Sequence, residues 1–178
     1  MKSTLIAAAS AVAVLAIAAP AFAQSSDGLG HVTPYINLGY SYSHPDQGNF
    51  HVLDGRIGAK FGRYVGVEGE VGFGLNSQTI SGVKIKPTSS YAGYGVAFLP
   101  VAPNLDLYAR VGYGHANVRG TIGSTTVNIG QDGVNYGGGA QYFWTRNDGT
   151  RLEFTRYDFR NGGGTDDVFG VSWVHRFQ

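Results

Sequence analysis

The chain has 178 residues, the size of one domain, and its 13 Lys and Arg against 12 Asp and Glu give a net charge of +1 that argues for neither a nucleic-acid nor an acidic partner. Charged residues make up only 14%, against roughly 25% in soluble domains, while aromatics reach 13% and glycines number 28, a composition that leaves too little charge to cover a soluble surface. Cysteine is absent, which excludes disulfides, thiolate metal sites and a lipidated N-terminal Cys.

Residues 1–23 read as an export signal. Met1 and Lys2 start it, Leu5 to Ala19 run apolar, and Ala21-Phe22-Ala23 is a small-x-small cleavage site before Gln24. The apolar run is short for a membrane span and ends at Pro20, which favours cleavage over a retained anchor. Without Lys2 the remaining 12 basic residues balance the 12 acidic ones. No later segment is a helix-length apolar run, so a membrane-embedded domain at 24–178 must cross as strands.

Side chains of a strand alternate between faces, and that alternation recurs along the mature chain. The first candidate strand, Val32 to Tyr42, sets Val32, Ile36, Leu38 and Tyr40 against Tyr35, Asn37, Gly39 and Ser41. After a loop at 43–49, Phe50 to Phe61 sets Leu53, Ile57 and Phe61 against Asp54, Arg56 and Lys60. A tight turn at Gly62-Arg63-Tyr64 leads into Val65 to Leu75, where Val67, Val71 and Phe73 oppose Gly66, Glu68, Glu70 and Gly72. A polar connection at 76–90 precedes the fourth strand, Tyr91 to Leu99, with Tyr94, Val96 and Phe98 assigned to the apolar face and Gly93, Gly95 and Ala97 to the other. The fifth strand, Leu105 to His115, places Leu107 and Val111 opposite Tyr108, Arg110 and Gly112. A second long loop spans 117–131. The sixth strand, Gly133 to Phe143, sets Val134, Tyr136 and Tyr142 against Asn135, Gly137, Gly139 and Gln141. In the seventh, Arg151 to Phe159, Arg151 and Glu153 oppose Leu152 and Phe154, but Arg156 falls on the apolar face; either a bulge shifts the phase or Arg156 reaches the headgroups. A loop at 160–166 leads to the last strand, in which Phe169, Val171, Trp173, His175 and Phe177 oppose Gly170, Ser172, Val174 and Arg176.

Eight strands joined alternately by short and longer connections predict an all-β fold, an eight-stranded antiparallel up-and-down transmembrane β-barrel, with the short turns periplasmic. A soluble barrel would send Lys, Glu, Thr and Ser into water on the face where this chain places glycines; glycine exposed in a strand covers nothing, whereas inside a narrow barrel it makes room. The apolar face is therefore assigned to lipid, with two aromatic girdles: Tyr42, Phe73, Tyr113 and Phe169 at one rim, and Phe61, Phe98, Tyr142, Trp144 and Phe177 at the other.

The lumen then receives Asp54, Arg56, Lys60, Glu68, Glu70, Arg110, Arg151, Glu153 and Arg176, a predicted ion-pair cluster that plugs it, since buried charges do not stay unpaired. Lys60 with Glu68 or Arg56 with Glu70 should be cross-strand neighbours, according to the register of the turn. Glu68 and Glu70 could pass for a catalytic carboxylate pair, but matching cations and a narrow interior favour a structural role. His44, Asp46 and His51 suggest at most a weak surface metal site, the five histidines show no ligand spacing, and Gly-x-Gly repeats such as Gly93-Tyr94-Gly95 are strand alternation with no following helix. No catalytic residue, cofactor or metal is expected.

The stretches GRIGAKFGRYVGVEGEVGFG at 55–74, DLYARVGYGHA at 106–116, RLEFTRYDF at 151–159 and VSWVHRF at 171–177 resemble the small eight-stranded outer-membrane barrels typified by the transmembrane domain of outer-membrane protein A and by outer-membrane protein X. That resemblance covers the mature chain. It implies a terminal aromatic signal read by the outer-membrane assembly machinery, here Trp173, His175 and Phe177, with His175 where an aromatic is usual. It does not carry over the peptidoglycan-binding domain of outer-membrane protein A. The expectation is an outer-membrane protein of a diderm bacterium, monomeric and non-enzymatic, in contact with lipid and lipopolysaccharide and serving envelope integrity and surface interaction. The alternatives are a narrow pore for small solutes and, with no motif in its favour, a lipid-modifying enzyme.

Overall fold

Alternation of large and small side chains becomes nine antiparallel strands in a computed structural model that describes residues 31–43, 49–80, 82–123, 125–160 and 164–177. The expected signal segment with its Ala23–Gln24 cleavage point lies outside the described residues, as do His44 and Asp46. The strands are β1 (Val32–Ser43), β2 (Phe50–Phe61), β3 (Val65–Gly74), β4 (Gln78–Ile80), β5 (Val83–Ala102), β6 (Leu105–Ile122), β7 (Thr125–Phe143), β8 (Asp148–Phe159) and β9 (Thr165–Arg176). β4 is a three-residue ribbon on the outer end of β5. The other eight form a closed antiparallel ring, with β3 hydrogen-bonded to β5 and β1 to β9. Closure matters in hydrocarbon because an open edge would leave backbone donors and acceptors without partners. At the tight turn between β2 and β3, Gly62 takes φ +61°, a left-handed conformation that favours glycine, and its N–H donates to His31 O at 2.9 Å.

Two expected loops are largely strand. The segments 76–90 and 117–131 extend β5, β6 and β7 well past the barrel rim, paired without a break from Asn117↔Gly130 to Ile122↔Thr125. β5 joins the extension through a register shift between Pro87 and Ser89, where proline supplies no N–H to the ladder. Thr, Ser, Asn and Gly suggested irregular chain, but Val118, Ile122, Thr125, Val127 and Ile129 are β-branched and fall on one parity of the hairpin, which is strand chemistry.

The fourth expected strand is inverted relative to its sequence assignment. Tyr94 and Phe98, both 4% exposed, point into the lumen with Val96, while Tyr91 at 57% and Leu99 at 58% face lipid along with Gly93, Gly95 and Ala97. Phe98 is therefore not part of a girdle. Both faces of this strand are apolar at their ends, so alternation alone did not distinguish them. Along β8 the pairing with β7 and β9 runs through Arg156 without a shift, so no bulge is present. Arg156 stays on the outer face and forms a two-pronged pair with Asp167, Nε to Oδ1 at 2.6 Å and a terminal nitrogen to Oδ2 at 2.7 Å.

Candidate functional site

Because alternate residues face inward, neighbouring strands bring their charges to the same height in the lumen. Arg56 on β2 stands opposite Glu70 on β3, one of the two pairings the sequence allows, and its Nε donates to Glu70 at 2.6 Å. The same guanidinium crosses to β8, donating to both oxygens of Glu153, and lies 2.9 Å from Asp54 Oδ1. Arg110 on β6 donates to Glu70 at 3.0 Å, to Glu153 at 3.3 Å and to the Thr155 hydroxyl at 2.7 Å. Arg151 on β8 donates to Glu68 at 2.5 Å and to the Gln141 side-chain oxygen at 3.0 Å. Every member of this set is buried.

Four tyrosines complete the lattice. Tyr35 donates to Glu68 at 2.7 Å, Tyr94 and Tyr157 to Glu70 at 3.2 and 3.1 Å, and Tyr108 to Glu153 at 3.0 Å. Arg110 also lies 4.3 Å from the Tyr94 ring centre, and Arg151 4.3 Å from that of Tyr108. None of the four was among the sequence candidates. Tyr35 and Tyr108 share parity with Asn37 and Arg110, a signal that was available; Tyr94 was hidden by the inverted phase of its strand. Glycines make the crowding possible: a Cβ on Gly112 would stand 2.6 Å from the Tyr94 ring, and one on Gly170 2.9 Å from Glu153 Cγ.

Two predicted members stand apart from the lattice. Lys60 is four residues along β2 from Arg56, roughly 13 Å of strand, and pairs instead with Asp106 at 2.9 Å. Asp106, which also accepts from Gln141 at 2.9 Å, was not a sequence candidate. Arg176 lies over the Phe143 ring, 4.0 Å from its centre. With Arg63, these groups line a cavity of about 240 Å³ at the periplasmic mouth. Above the lattice, a second cavity of about 260 Å³ opens at the outer mouth.

The predicted assembly residues form an outward stack at the foot of β9. Ring centres are 5.6 Å apart between Trp173 and His175 and 4.9 Å between His175 and Phe177. At the periplasmic end of β8, just past the turn, Asp148 accepts from His175 at 2.9 Å and from the Trp173 indole at 3.2 Å, and the His175 bond leads in holding its carboxyl below the usual carboxylate range. Glu68 and Glu70 are each held by arginine and tyrosine. His51 stacks on Tyr40, with ring centres 5.7 Å apart. Among the described residues no group of three or more His, Asp or Glu is arranged to hold a metal.

The sequence matches the outer membrane protein beta-barrel domain family over residues 9–177. No curated protein matches it. Among solved structures it is similar to the N-terminal β-barrel domain of Pseudomonas aeruginosa OprF (TM-score 0.66, 13% identity, 82% of this chain and 97% of that one). It is also similar to Ail, the attachment invasion locus protein of Yersinia pestis, solved in complex with the heparin analogue sucrose octasulfate (TM-score 0.60, 15% identity, 82% and 97%), and to Neisserial surface protein A (TM-score 0.61, 10% identity, 82% and 97%). At these identities the likeness is one of fold.

Proposed function

The chain belongs to the outer membrane protein beta-barrel domain family and is an outer-membrane β-barrel, and on that premise we propose that it is a non-enzymatic, monomeric barrel serving envelope integrity and surface interaction, with its lumen closed by the arginine–carboxylate lattice. One observation carries the closure: Arg56, Arg110 and Arg151 link β2, β6 and β8 to Glu68, Glu70 and Glu153 from wall to wall, all of them buried. An ion crossing that layer would have to displace charge pairs whose separate exposure costs several kcal/mol each.

Surface interaction is supported by the outer face of the strand extension. Lys84 and Lys86 on β5 and Arg119 on β6 are exposed on the same side, with Lys86 directly opposite Arg119, above the lipid-facing Tyr91 and Tyr113. Three cations at that height suit the phosphates of lipopolysaccharide. Ail binds a polyanionic heparin analogue, which is consistent with barrels of this fold meeting anionic surfaces. The outward Trp173, His175 and Phe177 suit recognition by the outer-membrane assembly machinery.

Planar-bilayer recording on the purified barrel tests the closure. The expected record is flat; reproducible conductance steps that disappear when the lumen is cross-linked would replace this reading with the narrow pore. Turnover of labelled lipid A by the purified protein would overturn the non-enzymatic assignment.

A further inference from the structure

The outer mouth of the lumen is lined by side chains that neither lipid contact nor the lattice requires. Phe50, Val52, Ile85, Val118, Phe159 and Val168 all bear on its cavity of about 260 Å³ and are only half-buried. These positions belong to the inward parity, so lipid does not cover them, and a water-filled mouth would hold them at a hydrophobic cost. The wall continues upward on the protruding sheet, where Ile122, Val127 and Ile129 lie on the same inward parity as Val118 and are more than half exposed.

The charged groups bordering the cavity are mostly acidic, Asp54, Glu70, Glu153 and Asp166 against the single cation Arg56. The lattice below sets three guanidinium groups, Arg56, Arg110 and Arg151, against four carboxylates, Asp54, Glu68, Glu70 and Glu153, leaving one carboxylate in excess. Asp54 borders the cavity together with Arg56, Glu70 and Glu153; it is 5% exposed, and its Oδ1 accepts no hydrogen bond but lies 2.9 Å from the Arg56 guanidinium, which is shared with Glu70 and Glu153. Asp166, higher on the wall, accepts from the Ser43 hydroxyl at 2.6 Å, and among the described residues no cation pairs with it. Ser41 holds Asp54 at 2.6 Å. The two serines are alternate residues of β1, so the two carboxylates are anchored at points roughly 7 Å apart up one side of the cavity.

We propose that the outer vestibule is a binding site for a small amphipathic amine, its ammonium held by Asp166 in the field of Asp54 and its apolar body lying against Val52, Ile85, Val118 and Phe159. The volume falls below the roughly 300–1,000 Å³ of sites for drug-sized ligands, which selects a compact molecule with one short apolar arm. The site is blind because the lattice floors it, so binding requires no passage through the barrel.

The test uses the full chain folded in lipid nanodiscs, with empty nanodiscs as the blank, and three six-carbon probes: hexylammonium, hexanol and hexanoate. Ligand-observed NMR should give binding of hexylammonium above the blank, at least tenfold tighter than hexanoate. Asp166→Asn should weaken the amine about tenfold, roughly 1.4 kcal/mol, and leave hexanol unchanged. Val118→Trp, which fills the cavity from a strand end beyond the bilayer, should abolish binding of all three. Equal affinity for the three probes, preference for hexanoate, binding no greater than to empty nanodiscs, or amine binding unchanged in both variants would overturn the proposal.

Discussion

The middle of the lumen and its periplasmic mouth are built from the same materials, guanidinium or ammonium groups set against carboxylates and aromatic rings, yet water reaches them differently. Arg56, Arg110 and Arg151 have side chains at most 2% exposed and each serves several acceptors. Lys60 and Asp106, at 16% and 11%, form one pair beside the cavity at the periplasmic mouth. Pairing of identical chemistry is thus obligatory in one place and close to optional in the other, because removing a partner leaves an uncompensated charge only where solvent cannot reach.

That contrast can be broken at its strong end first. Replacing Arg110 with Ala, which removes a cation from a lattice already one carboxylate in excess and takes a partner from both Glu70 and Glu153, should cost about 3–5 kcal/mol in reversible urea unfolding from lipid vesicles. Gly112→Leu, which forces a side chain into the Tyr94 ring, should cost about 1–3 kcal/mol by overpacking, whereas Gly93→Leu on the lipid side, where a Cβ meets nothing within 4 Å, should be tolerated. Lys60→Met should cost no more than about 1 kcal/mol, and high salt should erase that difference while leaving the Arg110 variant as unstable as before. The smallest effect is expected at Asp148. Its folded pKa is depressed, so its contribution is present above the unfolded carboxylate pKa and is lost as pH falls through the folded value; Asp148→Asn should flatten the acid side of the melting-temperature profile.

Much of this architecture was legible from parity alone, because over Leu53 to Phe61 of β2 and along β3 the lipid face is mostly apolar and the lumen face is charged or glycine. The rule failed on β5 for a physical reason. The lower lumen is filled by Tyr35, Tyr94, Phe98 and Tyr108, so large and apolar did not mean lipid-facing, and Gly93, Gly95 and Ala97 show that small did not mean interior. The separation of Lys60 and Arg176 from the lattice was also invisible, since parity assigns a face and says nothing of height along the axis. The extent of β6 and β7 is hidden because Thr, Ser, Asn and Gly, which favour turns, are interleaved with the β-branched residues that alternate along the hairpin.

The long pairing of β6 with β7 also determines how the protein meets its surroundings. From Tyr113, the outermost aromatic of β6 on the lipid side, to Ile122 at the strand's end is roughly 30 Å of chain. The ribbon is hydrogen-bonded over that length, so its tip near Gly123 is carried on a mast and not on a tether. Whatever it displays is held clear of the inner sugar layer in one orientation, and an antibody raised against that tip should reach it on intact cells with a complete carbohydrate coat.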